Sequence, residues 1–233
     1  MKVAALISGG KDSILALHKV AEENEVSYLI SAIPEKEDSW MFHTACLEMI
    51  DVVAECLNLP LKKIPVSGEK EKEVDEFTEG LKYLDVEAIC LGVIESSYQY
   101  RRATKICEKL KLKLLTPLWK VDQMEILKEV AEKFEAIIVS VSAEGLDEHF
   151  LGKRIDFNLI EKLKKLRINP AGEGGEYETL VLDAPLYKKK IFLESFDVTW
   201  KNFSGKINIK KFKLINKNKS FFTAEVKLKN DES

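Results

Sequence analysis

The sequence predicts an α/β fold with a doubly wound parallel sheet of five strands, followed by a smaller α+β carboxyl-terminal domain. Short apolar runs alternate with amphipathic segments of helical length through the first 118 residues, and parallel strands need such crossovers. A glycine pair separates the first apolar run from the first helical pattern. Beyond residue 179 the chain changes to period-two stretches rich in Val, Ile, Phe and Thr, a pattern typical of antiparallel strands.

The elements of the first domain, residues 1–118, follow from these patterns in chain order. A continuous apolar strand over residues 2–7 leads through the glycine pair into a helix over residues 12–23, in which apolar residues recur at helical spacing. The same alternation predicts further strands near residues 26–33, 61–66, 87–93 and 112–115, and helices near residues 41–57, 69–83 and 97–110.

The second predicted domain, residues 119–233, begins with a helix, a strand and a helix near residues 122–133, 136–141 and 155–167. After Gly172 we expect antiparallel strands, with Asn202 and Gly205 as turn residues. Between Lys188 and Lys229 the chain carries 12 lysines against three acidic residues. We interpret these lysines as a solvated strand surface, with attraction to an acidic protein or RNA as the alternative.

Composition argues against several classes of protein. The apolar start is too short for a signal peptide or a membrane span, which predicts a soluble, cytoplasmic protein without a membrane partner. The formal net charge of −3 gives little reason to expect direct binding to nucleic acid. Four widely separated cysteines argue against structural zinc and a disulfide framework. We interpret His18 as a packing residue and His149 as a helix-end residue.

The hexapeptide Ser8-Gly9-Gly10-Lys11-Asp12-Ser13 lies where the first strand gives way to the first helix. At this turn backbone N–H groups of a helix amino terminus face the carboxyl edge of the sheet and can bind an anion. The glycines let the backbone approach phosphate oxygens, the serines offer hydroxyl donors, and the lysine adds a positive charge. Asp12 would hold Mg²⁺ or cap the helix. An ordinary strand–helix turn is the structural alternative.

This hexapeptide resembles the PP-loop of the N-type ATP pyrophosphatases, a superfamily with a HUP-like fold that adenylates a substrate and releases pyrophosphate. The spacing differs from that of the Walker-type phosphate loop, so it does not predict transfer of the γ-phosphate. The resemblance implies ATP and Mg²⁺ as cofactors and cleavage of ATP at its α-phosphate.

Three further segments, Trp40–Thr44, Gly92–Arg102 and Gly172–Pro185, resemble one branch of that superfamily, the diphthine–ammonia ligases. The resemblance extends from Lys2 to about Tyr187. It implies ATP-dependent amidation of diphthine, a modified histidine of translation elongation factor 2, to diphthamide. Free ammonium would be the nitrogen donor, an acyl-adenylate the intermediate, and AMP and pyrophosphate the products.

The expected site residues combine the loop chemistry with this resemblance. The expected catalytic residues are Lys11, Asp12 and Glu176. The expected ATP- and phosphate-binding residues are Ser8, Gly9, Gly10, Lys11, Ser13, His43 and Gly92. The expected substrate-binding residues are Ser96, Tyr98, Gln99, Arg102, Glu173, Gly174, Gly175, Glu176, Tyr177, Glu178 and Thr179. Asp12 is the expected Mg²⁺ ligand.

The segment Gly172–Thr179 contains three glutamates around a glycine pair, a composition able to neutralise a cation such as ammonium, Mg²⁺ or the quaternary nitrogen of diphthine. Tyr177 would contact that nitrogen through its ring face. An acidic turn before a strand is the structural alternative. The chain also departs from the family pattern Tyr-Gln-Arg-x-Arg, because Tyr100 replaces its first arginine, and the alternative is that Arg101 takes over the role of that arginine.

Two other functions remain open from sequence. A tRNA-modifying PP-loop enzyme is the nearest alternative, although thiolation needs suitably spaced reactive cysteines. A nucleotide-binding sensor without turnover is the other, although it would not require the Gly172–Asp183 segment. The sequence leaves open whether the protein forms a homodimer.

Overall fold

The predicted parallel sheet forms the amino-terminal half of the protein. A computed structural model describes residues 1–35, 47–69 and 72–217. In this sheet the strand order is β3-β2-β1-β4-β5, and every neighbouring pair is parallel. Its strands are β1 (Lys2–Leu6), β2 (Glu25–Pro34), β3 (Leu61–Val66), β4 (Ala88–Cys90) and β5 (Lys113–Leu115). The predicted doubly wound fold is therefore confirmed.

Helices cover both faces of this sheet. They are α1 (Lys11–Ala21), α2 (Ile50–Leu57), α3 (Lys72–Leu81) and α4 (Ser97–Leu110). Side chains alternate between the faces of a strand, so Val3 and Ala5 of β1 share a core cluster with α1 and α2. Ala4, between them, belongs to the cluster that contains α3 and α4. This alternation explains why β1, the central strand, is apolar from Val3 to Leu6.

The second sheet is antiparallel, with the order β7-β6-β9-β8. Its strands are β6 (Glu135–Val141), β7 (Tyr177–Asp183), β8 (Lys189–Lys201) and β9 (Ser204–Asn216). Two helices precede it or lie within it, α5 (Gln123–Lys133) and α6 (Phe157–Leu163). Asp122 and Asp156 cap these helices by accepting hydrogen bonds from first-turn amides.

One apolar core joins the two sheets. The cluster around α1 and α2 also contains buried residues of α5, β6 and β7, including Val130, Ile138 and Leu180. Helix α1 therefore packs against the parallel sheet on one side and the second sheet on the other. The domain boundary predicted after residue 118 falls between β5 and α5 and stays a prediction.

Several predicted elements differ from the observed ones. The strand expected over residues 87–93 ends at Cys90, because the chain then turns toward the first helix. The helix expected over 155–167 ends at Leu163. Gly205 was expected in a turn but lies in β9, and the turn is formed by Asn202 and Phe203. Part of the helix expected over 41–57, and the chain beyond residue 217, lie outside the described residues.

None of the described helices is both long and apolar enough to cross a membrane.

His18 joins α1 to the chain after β7, consistent with its predicted packing role. Its Nε2 accepts a hydrogen bond from the Leu186 N–H at 3.1 Å, and its Nδ1 lies 2.8 Å from the Ile14 carbonyl oxygen. Since a backbone N–H can only donate, the ring is neutral with its proton on Nδ1. Burial lowers the pKa of His18 below its ordinary value of 6.5.

We expect His18 to make the protein less stable in mild acid. When the pKa of a histidine is lower in the folded state than in the unfolded state, the resulting stabilisation is complete above the unfolded-state pKa. It is lost as the pH falls through the folded-state pKa. His18→Gln keeps an acceptor for Leu186 but does not titrate. Its Tm should therefore fall less than that of the wild type between about pH 8 and about pH 5. Equal losses of Tm, measured by circular dichroism, would contradict this role.

Candidate functional site

The predicted phosphate loop connects β1 to α1 at the carboxyl edge of the parallel sheet. Gly9 has a φ of +84°, a conformation that favours glycine. The Ser13 hydroxyl donates to the Gly10 carbonyl at 3.0 Å and accepts from the Ser8 N–H at 3.2 Å. Helix α1 begins at Lys11, and Gly10 gives its amino terminus no side-chain cap. The loop therefore presents the start of a helix to the cleft, as an anion site requires.

Strand β7 of the second sheet forms hydrogen bonds with this loop. The Val181 N–H donates to the Gly9 carbonyl at 2.9 Å, and the Thr179 hydroxyl accepts from the Lys11 N–H at 3.0 Å. A Cβ atom on Gly10 would lie 3.3 Å from the Thr179 carbonyl oxygen. The Gly172–Thr179 segment and the phosphate loop are thus parts of one site, although more than 150 residues separate them.

Lys11 lies at the centre of this junction, and its side chain is only 3% exposed. Its ammonium group lies 2.8 Å from Oδ2 of Asp12 and 2.5 Å from the Ala171 carbonyl oxygen. It also lies 5.4 Å from the centre of the Tyr177 ring, within the range of a cation–π interaction. The charge is thus stabilised by groups from both the phosphate loop and the segment before β7.

Asp12 offers one carboxylate oxygen to a ligand. Its Oδ2 is paired with Lys11, whereas its Oδ1 is buried and has no hydrogen-bond partner among the described residues. Mg²⁺ is commonly held by one or two carboxylates together with substrate phosphates, so this oxygen fits the predicted role. Within residues 1–35, 47–69 and 72–217, no group of three or more His, Cys, Asp or Glu side chains could hold a metal.

The Gly92–Arg102 segment approaches the same helix terminus from the other side. A Cβ atom on Gly92 would lie 2.6 Å from the Asp12 carbonyl oxygen and 2.8 Å from Cα of Ser13. Real Cβ atoms do not come so close to backbone atoms, so only glycine allows this approach. Ser96 caps α4 by accepting a hydrogen bond from the Gln99 N–H at 3.3 Å.

Glu173 connects the two predicted motifs. Its Oε1 accepts hydrogen bonds from the backbone N–H groups of Ile94, Glu95 and Ser96, at 3.3, 2.9 and 2.9 Å. These amides lie in the turn between β4 and α4. In this structure the carboxylate therefore holds a loop of the amino-terminal half, and its predicted contact with substrate stays a prediction.

Glu176 organises its own loop in a similar way. Its Oε1 accepts from the backbone N–H of Asn169 at 3.0 Å and from the side-chain amide of Asn169 at 2.6 Å. Its Oε2 accepts from the Gly174 N–H at 2.8 Å. A Cβ atom on Gly174 would lie 2.8 Å from this carboxylate. Gly175, with a φ of +83°, completes the turn.

Tyr177 is buried beneath this loop. It is 3% exposed, and its hydroxyl donates to the Pro170 carbonyl at 2.6 Å. Burial, reinforced by Asp12 and Glu176, raises the pKa of this phenol well above its ordinary value. The Lys11 ammonium lies over its ring face, and the predicted contact of Tyr177 with a substrate cation stays a prediction.

Tyr98 and Arg102 lie on the first turns of α4. The guanidinium carbon of Arg102 lies 3.4 Å from the centre of the Tyr98 ring, and Arg102 is 8% exposed. Tyr100, which departs from the family pattern, stacks on Trp119 with 4.3 Å between ring centres. An arginine at position 100 would also be able to stack there, so the substitution keeps a planar group against the indole.

Two cavities meet at the phosphate loop. The larger, about 650 Å³, is lined by loop residues, by Ser31 and Ala32 at the end of β2, and by Leu91, Gly92 and Gln99. The smaller, about 450 Å³, is lined by Lys11 and by Gly172, Tyr177, Glu178 and Thr179. The four residues that line both cavities are Ser8, Gly10, Asp12 and Glu173.

Sequence reasoning missed two residues that link the parts of the site. The Gln123 side chain accepts from the Ala171 N–H at 3.0 Å and donates to Glu95 at 3.2 Å. The Ala171 carbonyl in turn accepts a hydrogen bond from the Lys11 ammonium. Neither residue belongs to a recognisable motif, and these contacts exist only in the folded chain. His43 of the predicted nucleotide site lies outside the described residues.

Comparison with known proteins assigns the chain to a family. The model of the diphthamide synthase N-terminal domain matches residues 1–114, and that of the C-terminal domain matches residues 122–215. A diphthine–ammonia ligase of Bos taurus is 38% identical over 226 residues, which cover 85% of each chain. The chain belongs to the diphthamide synthase family.

Other family members have similar sequences. The diphthine–ammonia ligase of Homo sapiens is 37% identical, with 85% of each chain covered. That of Schizosaccharomyces pombe is 39% identical over 94% of this chain, and the chain spans 40% of that longer protein. Among solved structures, a predicted tRNA methyltransferase subunit from Methanocaldococcus jannaschii aligns with a TM-score of 0.43 at 16% identity, covering 79% of this chain and 98% of that one.

Proposed function

We propose that the protein is a diphthine–ammonia ligase, which uses ATP to amidate diphthine on translation elongation factor 2 in the cytoplasm. One observation carries this proposal: the phosphate loop lies where two cavities meet, and both share Ser8, Gly10, Asp12 and Glu173. A ligase needs this arrangement, because the α-phosphate of ATP and the acceptor carboxylate must approach each other at one point.

The chemistry requires activation of the carboxylate. In the first step a carboxylate oxygen of diphthine attacks the α-phosphorus of ATP, the bond to the bridging oxygen breaks, and pyrophosphate leaves. In the second step ammonia attacks the acyl carbon, AMP leaves with the oxygen, and a proton is lost to yield the amide. Negative charge grows on phosphate oxygens in the first step, so the Lys11 ammonium and the loop amides would stabilise that transition state.

Mg²⁺ would be held by Asp12 Oδ1 and by phosphate oxygens of the nucleotide. When bound, the ion would offset the negative charge of the triphosphate. The second cavity would receive diphthine, and Glu178 at its wall would face the cationic part of this substrate. Ammonium is expected as the free ion.

The cysteines do not favour tRNA thiolation. Burial raises the pKa of the Cys56 and Cys90 thiols to about 12 and that of Cys107 to about 11. A reactive thiolate needs a pKa near or below neutrality. These three thiols are therefore suited to packing, and Cys46 lies outside the described residues.

An assay with purified components tests the proposal. The protein is mixed with diphthine-bearing elongation factor 2, ATP and unlabelled ammonium. We expect AMP as the nucleotide product, and a mass loss of the factor that corresponds to replacement of a hydroxyl by an amino group. A reaction without ammonium serves as the control. Formation of ADP, or an unchanged mass of the factor, would overturn the proposal.

A further inference from the structure

The β8–β9 hairpin ends in an exposed aromatic turn. Asn202 and Phe203 have φ angles of +48° and +67°, as in a type I′ turn, whose second position is normally glycine. Phe203 is 86% exposed. A bulky side chain in the left-handed region is strained, and an exposed ring gains little packing within its own chain. The residue therefore does not serve the stability of the hairpin.

The register of the second sheet places this turn near the candidate site. Glu178 of β7 pairs with Ser140 of β6, and Ser140 pairs with Lys206 of β9. Neighbouring strands lie about 4.8 Å apart, so the backbones of Glu178 and Lys206 are separated by roughly 10 Å. Lys206 lies three residues from Phe203 along the chain.

A neighbouring loop makes the surface continuous with the site. The Ser142 N–H donates to the Glu176 carbonyl at 2.9 Å, and the Ser142 hydroxyl donates to the Gly175 carbonyl at 2.5 Å. Directly after Ser142, residues 143–147 form one wall of a cleft of about 980 Å³, and Trp200 and Phe203 form the other. The cleft therefore begins beside the loop that Glu176 organises.

Charges of both signs surround this cleft. Glu144 and Asp147 are exposed on the loop side, and Lys201 and Lys206 are exposed on the hairpin side. Such a pattern complements a protein surface that also carries both signs. The two acidic residues beside the cleft would repel the phosphates of a nucleic acid.

We propose that this hairpin-tip surface, formed by Trp200, Lys201, Phe203, Lys206 and residues 143–147, docks the protein that bears diphthine. The inference rests on the proposed function. A stable interface covers about 800 Å² on each partner, which corresponds to a patch with a radius of roughly 16 Å. A folded partner that inserts one side chain beside Glu178 must therefore also cover the tip of the hairpin. There the exposed side chains of Trp200 and Phe203 provide apolar anchors.

Phe203→Gly tests the proposal without threatening the fold. Asn-Gly is the preferred sequence of a type I′ turn, so the variant should be at least as stable as the wild type. We expect its KM for diphthine-bearing elongation factor 2 to rise about tenfold, with the KM for ATP and the kcat unchanged. Tyr83→Ala is the control, since Tyr83 is 90% exposed in the other half of the protein and should leave all three constants unchanged.

The outcomes distinguish docking from function. If the wild type forms diphthamide but Phe203→Gly keeps the wild-type KM for the factor, the docking proposal is wrong and the ligase function stands. An equal rise in Tyr83→Ala would also overturn the docking proposal. Loss of binding to single-stranded RNA in Phe203→Gly, with an unchanged KM for the factor, would assign the surface to nucleic acid instead. A wild type without turnover overturns the function and the docking that rests on it.

Discussion

Replacing Lys11 with alanine is expected to lower the rate of AMP formation by roughly 100- to 1000-fold, the usual effect of removing one charge-stabilising donor from a reacting group. Lys11 is one of the residues that line the cavity between the phosphate loop and the Gly172–Thr179 segment. Without it, the Asp12 carboxylate would remain without its cationic partner beside the nucleotide phosphates. The added negative field would oppose ATP binding as well as turnover.

Two further variants separate charge from packing. Lys11→Met keeps the aliphatic stem of a residue that is 3% exposed, and it should be as inactive as Lys11→Ala while remaining better packed. Lys19→Ala removes a lysine of the same helix whose ion pair with Glu129 lies away from the loop. It should keep full activity. AMP would be measured chromatographically under saturating ammonium, and wild-type turnover in Lys11→Met would refute the phosphate role.

The parallel sheet and the phosphate loop could be predicted because their signals are local. The apolar run of β1 indicates that this strand is buried on both faces. The glycine pair next to Lys11 indicates a backbone that approaches an anion closely. Each signal occupies a short stretch of chain. The folded protein confirms the strand, the turn and the helix in that order.

The connections within the site could not be predicted, because they join residues that are distant in sequence. Glu173 accepts from amides more than 75 residues earlier in the chain, and Gly9 accepts from Val181. Sequence composition suggested that the glutamates of the Gly172–Thr179 segment neutralise a cation. In the structure Glu173 and Glu176 each accept hydrogen bonds from backbone N–H groups. Such a role cannot be recognised from the spacing or periodicity of residues in a sequence.

This difference leads to a second prediction with a large effect. Glu176→Ala should lower amidation roughly 10- to 100-fold, because hydrogen bonds to a charged acceptor contribute about 1.5–3 kcal/mol and their loss leaves amides unpaired. The affected loop lies between Gly172 and Tyr177, which line the cavity proposed for diphthine, and its Gly175 carbonyl accepts a hydrogen bond from the Ser142 hydroxyl. The amino-terminal walls of the nucleotide cleft do not depend on Glu176, so the Kd for ATP should change by less than about threefold.

Glu176→Gln decides whether this residue acts by charge or by position. A glutamine oxygen can still accept from Asn169, but its amide group cannot accept from Gly174. If Glu176 positions the loop, the glutamine variant should have an activity between those of the wild type and Glu176→Ala. A carboxylate that acts on a substrate cation would instead be disabled equally by both substitutions, since both remove its charge. Amidation rates and calorimetric Kd values for ATP, measured on the three proteins at matched stability, separate these cases.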